Sequence, residues 1–136
     1  MASFLPTIFR RSLLDLYPIS SIKLALYNGT VPAVDTMDLY TTTGEVSGTG
    51  YTAGGNGASV TLATFGVVAV LDVANMSWVG TFTTTYGLLY ATAAIATVTN
   101  RALALFDWGG SKSVSGGTFT VTFPASAAAT STIQIA

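Results

Sequence analysis

The sequence predicts an all-β protein, an antiparallel β-sandwich of jelly-roll type carrying a short N-terminal helix. Three observations carry that expectation. From residue 20 onward apolar residues alternate with a period of two, most cleanly at Phe119, Val121 and Phe123 between Thr118, Thr120 and Thr122. Glycine, asparagine and proline break the chain about every 8–15 residues, which leaves room for about eight short strands. Threonine, valine, isoleucine and aromatic residues dominate the segments between those breaks, and they favour pleated backbone. A chain of 136 residues is expected to form one domain overall. Within it, residues 1–18 form a helix or arm and residues 19–136 form the sandwich.

Residues 4–17 are the helix candidate. Pro6 suits a first turn, where its missing N–H is not needed. Leu5, Phe9, Leu13, Leu16 and Tyr17 then share one face, and Pro18 stops the helix. Such a helix either caps one end of the sheet core or docks on a partner. Ile22, Leu24 and Leu26 alternate with Lys23, Ala25 and Tyr27 as a half-buried strand, closed by the turn signal Asn28-Gly29. Residues 30–40 read as a surface loop and 40–46 as a strand, before a glycine-rich stretch to Gly57. Val60, Leu62 and Phe65 mark another strand. Residues 67–73 are almost unbroken apolar sequence, as in a central strand covered on both faces. Asn75 marks a bend before the strand that runs from Trp78 to Tyr90. Residues 101–108 form a strand ending at Gly109-Gly110, and Ile133 and Ile135 close the chain. Residues 91–98 carry no charge, although a connection between strands normally lies on the surface. They are either buried against a neighbouring subunit or a continuation of strand.

Half of the residues are hydrophobic and only 8% are charged, with no histidine and no cysteine. Disulfides and thiolate metal sites are therefore excluded, and a histidine base is unavailable. The net charge of −1 offers no field for nucleic acid or an acidic membrane surface. No segment reaches the ~18–20 consecutive apolar residues of a membrane-spanning helix. Arg10 and Arg11 interrupt the apolar N-terminus where an export signal needs an unbroken run.

Each chemical motif has a plainer reading. Asp72 and Asp107 end apolar strands and could face each other as a glycosidase pair, but acids there commonly accept backbone N–H groups. Asp35 and Asp38 lack the dense oxygen pattern of a calcium loop. Gly48, Gly50, Gly54, Gly55 and Gly57 suggest a phosphate loop, yet they lead into β pattern with no lysine nearby. A serine nucleophile would need Lys23 or Lys112 as its base. The aromatics, Trp78 and Trp108 among them, serve as core or as a carbohydrate platform. The expectation is a protein that is not an enzyme and holds no cofactor and no metal.

Several segments together resemble small virion proteins of tailed bacteriophages. They are residues 22–27 (Ile-Lys-Leu-Ala-Leu-Tyr), the glycine-rich residues 45–55 from Glu45 to Gly55, residues 71–74 with Trp78, residues 105–112 around Asp107-Trp108-Gly109-Gly110, and residues 117–124. The glycine-rich segment is the most specific of these, and the similarity spans nearly the whole chain. Over residues 84–99 the chain departs from the pattern, being almost uncharged where such proteins are more polar.

The resemblance implies a virion structural protein with no catalytic residues to carry over. The expected role is that of a capsid decoration or cement protein on the outer capsid surface, a homo-oligomer, with a trimer favoured, bound to the major capsid protein. The expected contact residues are Leu5, Phe9 and Leu13 on the helix, with Ala91, Ala94, Ile95 and Val98 on the uncharged loop. The alternative is a tail, neck or fibre component with a receptor- or carbohydrate-binding role. Neither reading calls for nucleic acid or a membrane as partner.

Overall fold

The structure, a computed structural model, describes residues 6, 8, 12, 13, 15, 16, 18–33, 35–124 and 133–135. Two antiparallel sheets make up the body. The first has four strands in the order β2-β1-β5-β6, where β1 is Ile22–Tyr27, β2 Asn56–Gly57, β5 Met76–Ala91 and β6 Arg101–Val121. The second has three in the order β3-β4-β7, with β3 Val60–Phe65, β4 Val68–Val73 and β7 Ile133–Ile135. This is the all-β, antiparallel architecture that the alternation predicts.

The alternation of β1 explains how the sheets meet. Ile22, Leu24 and Leu26 join Val60, Ala69, Leu71 and Val73 of the second sheet in one buried cluster with Trp78, Phe82, Leu89 and Val121. The opposite face of the first sheet, carrying Ala25, Tyr27, Tyr86, Leu88 and Tyr90, is also buried. Val31, Met37 and Tyr40 from the segment after β1 cover it. The first sheet is thus sandwiched between the second sheet and a loop. β4 is the middle strand of its sheet, as its apolar run predicts, although Val67 lies outside it and is 63% exposed.

The face that β5 turns to the core changes along its length. Trp78 and Phe82 point to the inter-sheet core, whereas Tyr86, Leu88 and Tyr90 point away from it and Leu89 points in. A register shift between Thr84 and Tyr86 marks the change. There Thr84 pairs with Lys112 and Tyr86 with Asp107, so four residues, 108–111, stand opposite Thr85 alone. Gly109 and Gly110 absorb this bulge at φ +70° and +126°. Trp108 is thereby turned over the first sheet, and its indole N–H donates to the Thr84 hydroxyl at 3.2 Å.

Four expectations need correction or lie outside the described residues. Gly109-Gly110 does not end a strand; β6 runs on to Val121, because the glycines let the ladder resume at Lys112. Residues 40–46 form no strand. A turn in which the Glu45 N–H donates to the Thr42 carbonyl at 3.2 Å limits pairing to a single bridge, Tyr27 with Glu45. Ala91 is no loop residue but the last residue of β5, paired with both Ile22 and Arg101. Most of the helix expected at residues 4–17, with Leu5 and Phe9, lies outside the described residues; the Ser12 hydroxyl donates to the Ile8 carbonyl at 2.9 Å.

The seat of Trp108 depends on Gly87, since a Cβ there would lie 2.8 Å from the indole ring and 3.3 Å from Leu24 Cδ1. Gly87→Ala is expected to lower stability by about 1–3 kcal/mol through overpacking. Gly57→Ala, with open space around its Cβ, should stay within about 0.5 kcal/mol of the parent. Urea unfolding of the two variants measures both.

Candidate functional site

Three features of the described surface can do chemistry or hold a partner: a carboxylate–tyrosine network, an uncharged hairpin tip and an aromatic cleft.

The network is centred on Glu45. Its carboxylate accepts from the Tyr40 hydroxyl (2.7 Å), the Tyr51 hydroxyl (2.7 Å) and the Gly54 N–H (2.6 Å). Tyr51 also accepts from the Leu26 N–H of β1 at 2.9 Å, and the Tyr90 hydroxyl of β5 donates to the Gly54 carbonyl at 2.8 Å. The glycine-rich segment is therefore tied to two strands through one carboxylate. Gly55 lets it lie close, at φ +71°, where a Cβ would collide with the Leu24 carbonyl. Tyr40 stacks on Tyr90 with ring centroids 4.6 Å apart, and Tyr27 on Tyr86 at 5.0 Å. Burial pushes the phenols of Tyr27, Tyr40 and Tyr51 well above their ordinary pKa, and the Glu45 charge adds to the shift. Burial also raises Tyr86, and burial with the Glu45 charge raises Tyr90. These phenols stay protonated at neutral pH, so the cluster supplies donors rather than a base. It braces the fold.

The tip joins β5 to β6. Ile95 and Val98 exchange backbone hydrogen bonds, Ile95 N–H to Val98 carbonyl at 3.0 Å and the reverse at 3.2 Å. Ala96 holds the turn between them at φ +57°, and Asn100 follows at φ +56°. Ala94 is exposed and Ile95 and Val98 are half-buried. These three of the expected contact residues come together, and Leu13, also half-buried, belongs to a separate segment. Ala91 is a correction: with 0% exposure it is covered within its own chain by β1 and β6 and cannot meet a partner.

The cleft lies along β6 and just beyond it. It measures about 420 Å³ and is lined by Trp108, Lys112, Phe119, Thr120, Val121 and Thr122. Trp108 and Phe119 meet at 64° with ring centroids 6.1 Å apart. Trp108 is half-exposed, whereas Trp78 is buried in the core. Trp108 and Phe119 are half-exposed but inclined rather than coplanar, so they form a corner and not a flat platform.

The two candidate acids are not brought together. Asp107 is on β6 beside core-facing Phe106, and its carboxylate accepts from the Gly109 N–H at 2.8 Å, the plainer reading of that residue. Asp72 is on β4 between core-facing Leu71 and Val73. The two side chains therefore project from the outer faces of different sheets. Asp72 Oδ1 is buried without a partner among the described residues. No three acids among the described residues gather as a metal would require, and no described helix is long and apolar enough to cross a membrane.

Sequence reasoning missed Glu45 as a centre. The signal was local: Tyr40 and Tyr51 flank the one acid in a segment rich in turn glycines. It missed the pairing of Lys112 with the aromatic corner because the bulge that creates it is invisible in a regular alternation.

These features define an antiparallel all-β protein with a braced interior and two local surfaces of distinct chemistry. Comparison with protein-family models, curated proteins and solved structures finds no match for the chain.

Glu45→Ala would leave three donors facing each other without an acceptor. It is expected to lower stability by about 2–4 kcal/mol, with Glu45→Gln intermediate, by chemical denaturation. The phenols give a second outcome. A folded pKa raised above the unfolded value of 10.0 means that the folded state holds its proton longer. The stability this confers is complete below about pH 10 and is lost as pH rises beyond it. In a Tyr17→Phe background, which leaves only these five phenols, phenolate absorbance should therefore rise together with loss of β-sheet circular dichroism, not before it.

Proposed function

We propose that this chain is a non-enzymatic structural protein of a tailed-phage particle, a decoration or cement protein that binds the outer capsid shell. The observation that carries this reading is the hairpin tip. It is uncharged from residue 92 to residue 100, and its backbone is fixed by paired hydrogen bonds. A surface that is already ordered loses little conformational entropy on docking, and an uncharged one sheds water at small desolvation cost. The resemblance of residues 22–27, 45–55, 105–112 and 117–124 to small virion proteins supports the same reading.

In this reading identical chains assemble as a trimer by closed symmetry, with the tip against the major capsid protein or a sister subunit. Roughly 800 Å² per partner makes a specific contact of this kind. Binding stabilises the shell by mass action, because the decoration protein has affinity for the assembled lattice and none for its dissociated parts. The half-exposed cleft at Trp108 favours a second reading, a tail, neck or fibre component that meets a receptor.

Gel densitometry of purified particles separates the two. Hundreds of copies per particle are expected for decoration, and a handful would sink it. Ala94→Glu tests the tip, because Ala94 is exposed and the change should leave thermal stability within about 0.5 kcal/mol of the parent. Its affinity for undecorated shells should fall about tenfold or more, since a buried unpaired charge is costly. Unchanged affinity would move the contact away from the tip.

A further inference from the structure

We propose that the cleft at Trp108 and Lys112 binds an acidic saccharide, a sugar unit bearing a carboxylate. The inference rests on the cleft alone and holds wherever in a particle the chain sits.

The volume, about 420 Å³, lies in the range of small-ligand sites and suits one or two sugar rings. Its apolar wall is a corner, with Trp108 and Phe119 inclined at 64°. A pyranose presents a face of C–H groups that packs on one such ring while its edge meets the other. Trp108 is held for this by its neighbours: its N–H is spent on Thr84, and its ring lies over Gly87. The ring is pre-positioned and loses little freedom when a ligand stacks on it. Thr120 and Thr122 are exposed on the same wall and offer hydroxyls of both donor and acceptor character to sugar hydroxyls.

Lys112 decides the charge of the ligand. It is exposed, lines the cleft and has no carboxylate partner among the described residues. The nearest acid in sequence, Asp107, is engaged with the Gly109 N–H. An unpaired ammonium beside two aromatic rings complements an anionic group attached to an apolar face, which describes a uronic or sialic acid unit.

A peptide added as a strand is the rival occupant, and the backbone of β6 opposes it. Strand addition needs a regular run of free N–H and C=O groups. Here the bulge at residues 108–111 and a second shift between Gly80 and Phe82 break the β6 ladder beside the cleft. The free edge is irregular where a peptide would have to pair.

The test is a titration of the purified protein with trigalacturonic acid, maltotriose and triglutamate, read by tryptophan fluorescence. Trp78 is 3% exposed, so a change in emission reports Trp108. Saturable binding of trigalacturonic acid is expected with a Kd of about 1 mM or below, and at least about tenfold weaker binding of maltotriose. Lys112→Gln is an exposed change that should leave the fold intact and weaken trigalacturonic acid by about tenfold. Trp108→Phe, which keeps an aromatic ring, should weaken it less, with binding then read by ligand-detected nuclear magnetic resonance. No response to trigalacturonic acid up to about 10 mM, or equal affinity in Lys112→Gln, overturns the proposal. Binding of triglutamate as tight as that of the acidic sugar overturns it in favour of a peptide or simple anion site.

Discussion

A carboxylate brought partly out of water must find donors, and Glu45 finds three. Much of the first sheet's outer half hangs on that requirement. Tyr40 brings the covering loop down onto Tyr90, Tyr51 reaches the backbone of β1, and Gly54 takes the Tyr90 hydroxyl. A neutral acceptor would serve some of these donors, but a carboxylate has lone pairs for all of them and makes stronger bonds to each. In a chain with so little charge, one acid placed at the junction of loop, glycine-rich segment and sheet therefore orders a large part of the fold. The glycines have a complementary role. They bring backbone close enough for Glu45 to reach, as the collision of a Gly55 Cβ with Leu24 makes plain.

A second polar group organises the other half of the sheet. Thr84 is fully buried, and its hydroxyl accepts from Trp108 and donates to the Tyr27 carbonyl at 3.0 Å, with the Tyr86 carbonyl the alternative at 3.2 Å. It sits where β5 exchanges its inward and outward faces. Before it, Ser77, Val79 and Thr81 look to solvent while Trp78 and Phe82 fill the core. After it, Tyr86, Leu88 and Tyr90 lie under the covering loop. An irregular ladder leaves backbone groups short of partners, and the Thr84 hydroxyl supplies one where water has no access. The bulge and the buried threonine are one structural device.

These two centres also explain what was legible in the sequence. Regular alternation announced β1, β3 and both ends of the β5–β6 pair, because period two is the direct imprint of a sheet with one buried face, and an unbroken apolar run announced β4. It could not announce that residues 101–121 are a single strand, since Gly109-Gly110 reads as a terminator unless the partner strand is known. Nor could it announce that β5 changes faces, because Tyr86, Leu88 and Tyr90 continue the even-numbered pattern of Trp78 and Phe82 while pointing the other way. Of the two readings of the uncharged residues 91–98, continuation of strand holds for Ala91. The tip begins only after it. For the site, single residues were legible and their association was not. Trp108 and Lys112 stood in the sequence as an aromatic and a stray cation; only the bulge makes them neighbours.

The long edge of β6 poses a problem that its irregularities answer. A strand of 21 residues at the margin of a sheet, with few charges, is a template for uncontrolled pairing. At its start the segment after β1 closes the edge, with Ala102 N–H donating to the Asp38 carbonyl at 3.0 Å and Tyr40 N–H to the Asn100 carbonyl at 2.8 Å. Further along, the bulges disturb the spacing that an incoming strand would need. What the edge then presents is side chains rather than backbone: the ordered tip at one end and the Trp108 corner further along. The bulge that protects the edge from pairing is the same one that turns Trp108 toward Phe119. Protection against aggregation and the creation of a binding corner therefore follow from one local departure from regular β structure.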